Sequence, residues 1–174
     1  MPRQIFLSKL KYRLVAVVLA AIIFVTSFYL GAVSTVNSDE ARDIVAKLSE
    51  KRSSLDKFQI FKNNIWPALI MFVPGLGIVF GANAGFSTGF SIAALALLNP
   101  MVRSIQPISV FWTTFGLIEL IAYSIAMSRS GLLVYYLIRK RKSWKDYAIF
   151  TGVEIGIVIV LLFLGAIIEW NLLQ

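Results

Sequence analysis

Apolar residues run through this chain in long blocks separated by short charged stretches. The first block, residues 14–33, has the length that a helix needs to cross the hydrocarbon core of a bilayer. A cleavable secretory signal is the rival reading, with Ala32-Val33-Ser34 as a passable cleavage site, but the run is long for a signal core and is read as a retained span. Residues 37–62 then switch to mixed charge. Within them Ile44, Val45, Leu48, Leu55, Phe58 and Phe61 recur near helical spacing, which predicts an outer amphipathic helix lying on the membrane or on its own bundle. Asn37 and Glu40 have the spacing of a capping box at its start. A solvated connector and a docking surface both fit this segment.

The third block breaks its own pattern. Residues 61–89 are apolar enough for lipid, yet they hold two prolines, five glycines and three asparagines. Hydrocarbon offers no water to an opened backbone, so such a stretch must be buried against protein, bent into a hairpin, or used to line a polar cavity. The segment 81–85, with Asn83 between glycines, reads as a turn, dividing residues 64–98 into a helical hairpin whose arms, 66–80 and 86–98, are both short of a normal span. Either two short tilted helices cross, or a re-entrant hairpin enters and leaves on one side.

Residues 108–138 form a long block with Trp112 near one end and Tyr135 and Tyr136 near the other, placed like interfacial aromatic belts. As a helix, the stretch between those belts would rise about 35 Å, enough to cross with some tilt. The Ser128-Arg129-Ser130-Gly131 step is a candidate bend. Residues 147–170 make the last span. The predicted fold is therefore all-α: one polytopic transmembrane bundle over residues 1–174, with a short broken or re-entrant central hairpin and an outer amphipathic helix.

Charge orients the spans. Arg3, Lys9, Lys11 and Arg13 precede the first block, and Arg139, Lys140, Arg141, Lys142 and Lys145 precede the last. The positive-inside rule places both clusters in the cytoplasm, so an even number of crossings separates them. Two crossings result from a re-entrant central pair and four from a spanning pair. In either case the N-terminus is cytoplasmic and the C-terminus extracytoplasmic in a multi-pass cell-membrane protein.

Composition supports that class and narrows the chemistry. The 174 residues are 58% hydrophobic, with mean hydropathy +0.78 and a net charge of +8. The basic excess flanks spans, so it argues for a bilayer and against nucleic acid. Absence of cysteine and histidine removes thiol nucleophiles, disulfides, thiolate or imidazole metal sites and imidazole bases. Asp39, Asp43, Asp56 and Asp146 all lie outside the apolar runs, so an intramembrane aspartyl dyad has no members, and Ser130 has no histidine to activate it. No enzyme activity, metal or cofactor is expected.

The candidate residues are few. Glu119 lies inside the 108–138 block, where an ionisable side chain needs a partner or a wet cavity. Gly116, Ala122 and Ala126 share its stripe with Trp112, Phe115 and Tyr123, a face suited to close packing. Asn63, Asn64 and Asn83, or Arg129 and Arg103, are its natural partners. Glu119 is read as an anchor of the broken segment, or alternatively as a proton or ion site. Glu154, inside the last span, faces Arg139 or Lys145 as candidate partners, and Glu169 reads as a headgroup-level charge beside Trp170. Gly77, Gly81, Gly85 and Gly89 recur every four residues and are read as two packing faces split by the turn, with Gly152 and Gly156 as a further GxxxG pair. These glycines make a homo-oligomer the expected state.

Phe61-x-Asn63-Asn64, then Ala68, Gly75, Gly77, Asn83 and Gly89, and later Gly116-x-x-Glu119-Leu120, resemble the stage II sporulation protein M family of polytopic membrane proteins. The resemblance runs from about residue 61 to the end, with the first span and outer helix similar in placement. Members often carry Pro-His before that later glycine, where this chain has Thr114 and Phe115, so a role resting on that histidine does not transfer. The resemblance implies a non-catalytic membrane partner of an envelope complex. The expected function is a scaffold that binds the bilayer, other copies of itself and other membrane or envelope proteins. The alternatives are a small channel or permease subunit using the hairpin and Glu119, and an assembly factor for other membrane segments.

Overall fold

A computed structural model describes residues 3–53, 56–139 and 144–173. Among them there are helices and no strands. In order they are α1 (Arg3–Ala32), α2 (Ser38–Ser53), α3 (Lys57–Ile70), α4 (Leu76–Leu98), the one-turn α5 (Pro100–Arg103), a 3-10 helix (Pro107–Trp112), α6 (Thr114–Ile138) and α7 (Trp144–Leu173). Four stretches are long and apolar enough to cross a membrane: Lys11–Ala32, Leu76–Leu98, Thr114–Ile138 and Ala148–Leu172. Lys140, Arg141 and Lys142, and the side chains of Arg3, Lys9, Lys145 and Leu55, lie outside the described residues.

Contacts at matched heights fix the helix directions. Arg13 reaches Ser128 while Phe28 packs on Phe111, so α1 and α6 are antiparallel. Glu154 meets Arg129 and Gly165 meets Ile118, so α7 also runs against α6. α4 runs parallel to α1, since Gly85 lies against Phe24 and Gly89 against Phe28 and Ala32. α3 descends beside α7 and α6, with Phe61 edge-on to Phe163 and Asn64 at Glu119. The start of α1, the end of α6 and the start of α7 therefore share one pole. The α3–α4 turn points toward that pole and stops level with Ser130, about 12 Å short of the end of α6 at 1.5 Å per residue.

The turn is displaced from its predicted position. Residues 81–85, Asn83 included, sit inside the continuous helix α4, and the chain reverses at residues 71–75. Pro74 cannot donate to a helix, and Gly75 adopts φ 80°, a left-handed conformation that a side chain would strain. The glycines are needed for a different reason. A Cβ on Gly89 would lie 1.9 Å from the Phe28 carbonyl oxygen, so α1 and α4 meet backbone to backbone and only hydrogen fits between them. Gly77, Gly81, Gly85 and Gly89 thus form one buried stripe rather than two separated faces. The lower two meet α6 and the end of α3, and the upper two meet α1. Gly152 and Gly156 face outward, with nothing within 4 Å of an added Cβ.

Other boundaries shift for local reasons. The segment 37–62 is two helices, because Asp56 restarts the chain by accepting the Gln59 N–H at 2.7 Å. Ala41 is buried and Ile44, Val45 and Leu48 half-buried on α2, which lies on α4, whereas Phe58 and Phe61 belong to α3 and pack toward Phe163 of α7. The block 108–138 is divided by extended Thr113, whose hydroxyl accepts the Gly116 N–H and donates to the Val110 carbonyl. Trp112 accordingly sits outside α6, 85% exposed, and does not extend the Glu119 stripe. α7 runs three residues beyond the predicted 147–170 at each end.

The glycine contacts generate a paired test. Gly89→Ala is expected to lower unfolding free energy by about 1–3 kcal/mol, the cost of overpacking a closed contact, while Gly152→Ala leaves it unchanged or raises it by up to about 1 kcal/mol through helix propensity. Thermal unfolding in micelles reads both.

Candidate functional site: polar clusters inside the bundle

Three polar clusters lie at membrane depth, each joining helices that a wholly apolar interior would let slide. The first is ionic. Glu154 receives Arg13 Nε and Nη2, both at 2.7 Å, on one side, and Arg129 Nε at 2.7 Å and Nη2 at 2.5 Å on the other. Arg13 also donates to Ser128 Oγ and the Ile125 carbonyl. Side-chain exposures of 18% for Arg13, 7% for Arg129 and 15% for Glu154 mark the cluster as mostly enclosed. Two forked guanidiniums sharing one carboxylate use the planar geometry for which arginine is suited and lysine is not.

This arrangement corrects two pairings. Glu154 pairs with Arg13 and Arg129, while Arg139 is exposed and lies over the Tyr135 ring. Arg129 is consequently committed to Glu154 rather than Glu119. The sequence held a signal for this: Arg129 is nine residues above the end of α6 and Glu154 ten residues above the start of α7, so the two opposite charges lie at equal depth.

The second cluster closes the hairpin. Ser130 Oγ donates to the Val73 carbonyl at 2.6 Å and accepts the Gly77 N–H at 3.2 Å. The N–H groups of Met71, Phe72 and Val73 find the carbonyls of Pro67, Leu69 and Ile70 at the end of α3, and that of Gly77 finds the Val73 carbonyl. Ser130 therefore does what was expected of Glu119, satisfying opened backbone at depth. The sequence offers Ser130 as a nucleophile without a base and as part of a candidate bend; a serine inside a span is also a readable donor and acceptor for opened backbone on a neighbouring segment.

The third cluster lies higher in the bundle. Asn64 Nδ2 donates to Glu119 Oε1, linking α3 to α6. Among the described residues that is Glu119's hydrogen bond, and Asn63, half-buried, and Asn83, exposed, do not join it. Arg103 is exposed on α5. Glu119 and Asn64 border a cavity of about 160 Å³ walled largely by rings, among them Phe24, Phe28, Phe111 and Tyr123. Gly116, below Thr113, is there for fit, since a Cβ would lie 2.2 Å from the Val110 carbonyl oxygen. Among the described residues no group of three or more His, Cys, Asp or Glu side chains could hold a metal.

Removing the shared carboxylate tests the ionic cluster. Glu154→Leu leaves two guanidiniums enclosed without a counter-charge and is expected to cost about 3–5 kcal/mol. Arg13→Leu is expected to cost less, because Arg129 still neutralises Glu154. Unfolding in mixed micelles by denaturing detergent gives both values.

No curated protein and no solved structure matches the chain. The family model for stage II sporulation protein M matches residues 15–171. That match takes in α1 and α2 as well as the region from residue 61 that carries the motif resemblance. With four bilayer-length apolar helices and a match over almost its whole length, the chain belongs to the stage II sporulation protein M family.

Proposed function

We propose that the protein is a non-enzymatic integral membrane scaffold, held in the cell membrane with its N-terminus cytoplasmic and its C-terminus outside, and that it recruits other membrane proteins through its outer helix faces. The observation that carries this reading is an interior that satisfies its own buried polar groups; Glu119 Oε2, which is not sealed off, has no hydrogen-bond partner among the described residues. Among the described residues no buried side-chain nitrogen or oxygen lacks a hydrogen-bond partner, and the ionic cluster ends on the chain's own groups. A permease would need a polar route from the Glu119 cavity toward the opposite pole. Below Glu119 the α6 face continues instead through Ala122, Ala126 and Met127, all fully buried.

The hairpin is assigned a re-entrant role. Its turn ends beside Ser130, inside the apolar part of α6; α3, with 14 residues, rises about 21 Å and falls short of a bilayer core, while α4, long enough to cross, starts at that same depth and continues past the end of α1. The even-crossing requirement is then met by α1 and α6, with α3 and α4 dipping in from the outside. The buried glycines of α4 pack against the chain's own α1, α6 and α3–α4 turn, so they offer no face to a second copy. Recruitment falls to outward surfaces such as α7, where Gly152, Gly156, Ile149, Val153 and Ile157 are exposed.

The absence of cysteine makes topology direct to test. Single cysteines at Asp39 and Arg139 are expected to react with an impermeant maleimide from outside and only after permeabilisation, respectively, while one at Val73 reacts from neither side. Reversed labelling of the first two overturns the orientation, and cytoplasmic labelling at Val73 overturns the re-entrant hairpin. A photo-crosslinking residue at Val153 is expected to yield a discrete protein adduct in native membranes, with none from buried Val158. Lipid adducts alone at Val153, together with solute flux through reconstituted liposomes, would replace the scaffold by the permease.

A further inference from the structure

Among the described residues, no cation pairs with the Glu119 carboxylate. Asn64 occupies Oε1, whereas Oε2 has no hydrogen-bond partner among the described residues. Since no buried side-chain oxygen among the described residues is left unpartnered, Oε2 is not sealed off, and Glu119 lines the adjoining cavity. The nearest candidates to neutralise it are spent, because Arg13 and Arg129 both bind Glu154. Its ionisable neighbour on α7 is another acid, Glu169. A carboxylate at this depth needs a positive partner or a proton.

The walls of the cavity suit one kind of partner. Phe24, Phe28, Phe111, Phe115 and Tyr123 all line it, with Phe28 and Phe111 at 4.8 Å and Phe24 and Tyr123 at 5.5 Å between ring centroids. Ring faces attract cations, and clusters of them recognise alkylated ammonium groups. The volume of about 160 Å³ compares with the roughly 150 Å³ cavity of another protein that accepts benzene. Exposed Thr88 on α4 marks the mouth, so the space is reachable from the surface. We propose that this cavity binds a small organic ammonium ion, with its charge against Glu119 Oε2 and its alkyl groups against the rings. The ion is either a free amine or the headgroup of a membrane lipid. The site is independent of whether the protein acts as a scaffold.

The test uses purified full-length protein in nanodiscs of phosphatidylglycerol, which carries no ammonium group. Methylammonium and tetramethylammonium are titrated by calorimetry, with tert-butanol as a neutral mimic of similar shape. Saturable binding of at least one cation is expected, at least tenfold tighter than tert-butanol, and at least tenfold weaker in Glu119→Gln, which keeps an oxygen for Asn64. Phe111→Leu is expected to weaken the cation more than tert-butanol, and it decides the matter if Glu119→Gln does not fold. Repeating the titration in discs containing phosphatidylcholine separates the sources: suppressed binding identifies a headgroup and unchanged binding a free amine. The proposal is overturned if neither cation saturates, if tert-butanol binds equally well, if folded Glu119→Gln binds like the parent, or if Phe111→Leu weakens both probes alike.

Discussion

One carboxylate held between two guanidiniums sets the relative heights of three helices. In hydrocarbon, apolar faces slide against one another at little cost because lipid tails are as good a partner as leucine. A shared ion cluster is different, since moving α1, α6 or α7 by one turn would separate Arg13, Arg129 and Glu154 and leave charge where water does not reach. Ser128 and the Ile125 carbonyl take up remaining donors of Arg13, so the register is specified by hydrogen bonds as well as by charge. The Phe28 and Phe111 rings meet only when that register is correct.

The hairpin depends on this frame twice. Its turn is clamped by Ser130, next in sequence to Arg129, so the residue that satisfies the opened backbone is positioned by the residue that anchors the ion cluster. Its long arm is seated by glycine on α1, where Phe24 and Phe28 present their carbonyls within reach of hydrogen alone. Asn64 then ties the short arm to Glu119. The broken segment tolerates its helix breakers because Ser130 satisfies backbone groups at the turn, while α1 and Glu119 hold its two arms in place.

The sequence made the class, three of the four bilayer-length helices and the family legible, because hydropathy over twenty residues and the spaced motif of Asn63, Asn64, Gly116 and Glu119 are local properties; the fourth, Leu76–Leu98, reads as split by its own glycines. The link between Glu119 and Asn64 was also within reach, since a lone acid in an apolar run demands a partner. The turn was misplaced because glycine carries two meanings: at Gly75 it supplies a left-handed backbone, and at Gly81 and Gly85 it makes room on a regular helix. Only the partner helix distinguishes them. Arg13 was read for its topological charge, and its pairing to Glu154 lies 141 positions away, beyond any local pattern.

That separation also orders the birth of the molecule. At about 5–20 residues per second, Arg13 emerges many seconds before the carboxylate that neutralises it has been synthesised, and Arg129 precedes the same carboxylate by 25 positions. Until α7 arrives, an incomplete chain presents two unneutralised cations among its apolar helices. A product truncated before Glu154 would keep those charges without their carboxylate, and α1 and α6 would lose the tie that sets their heights.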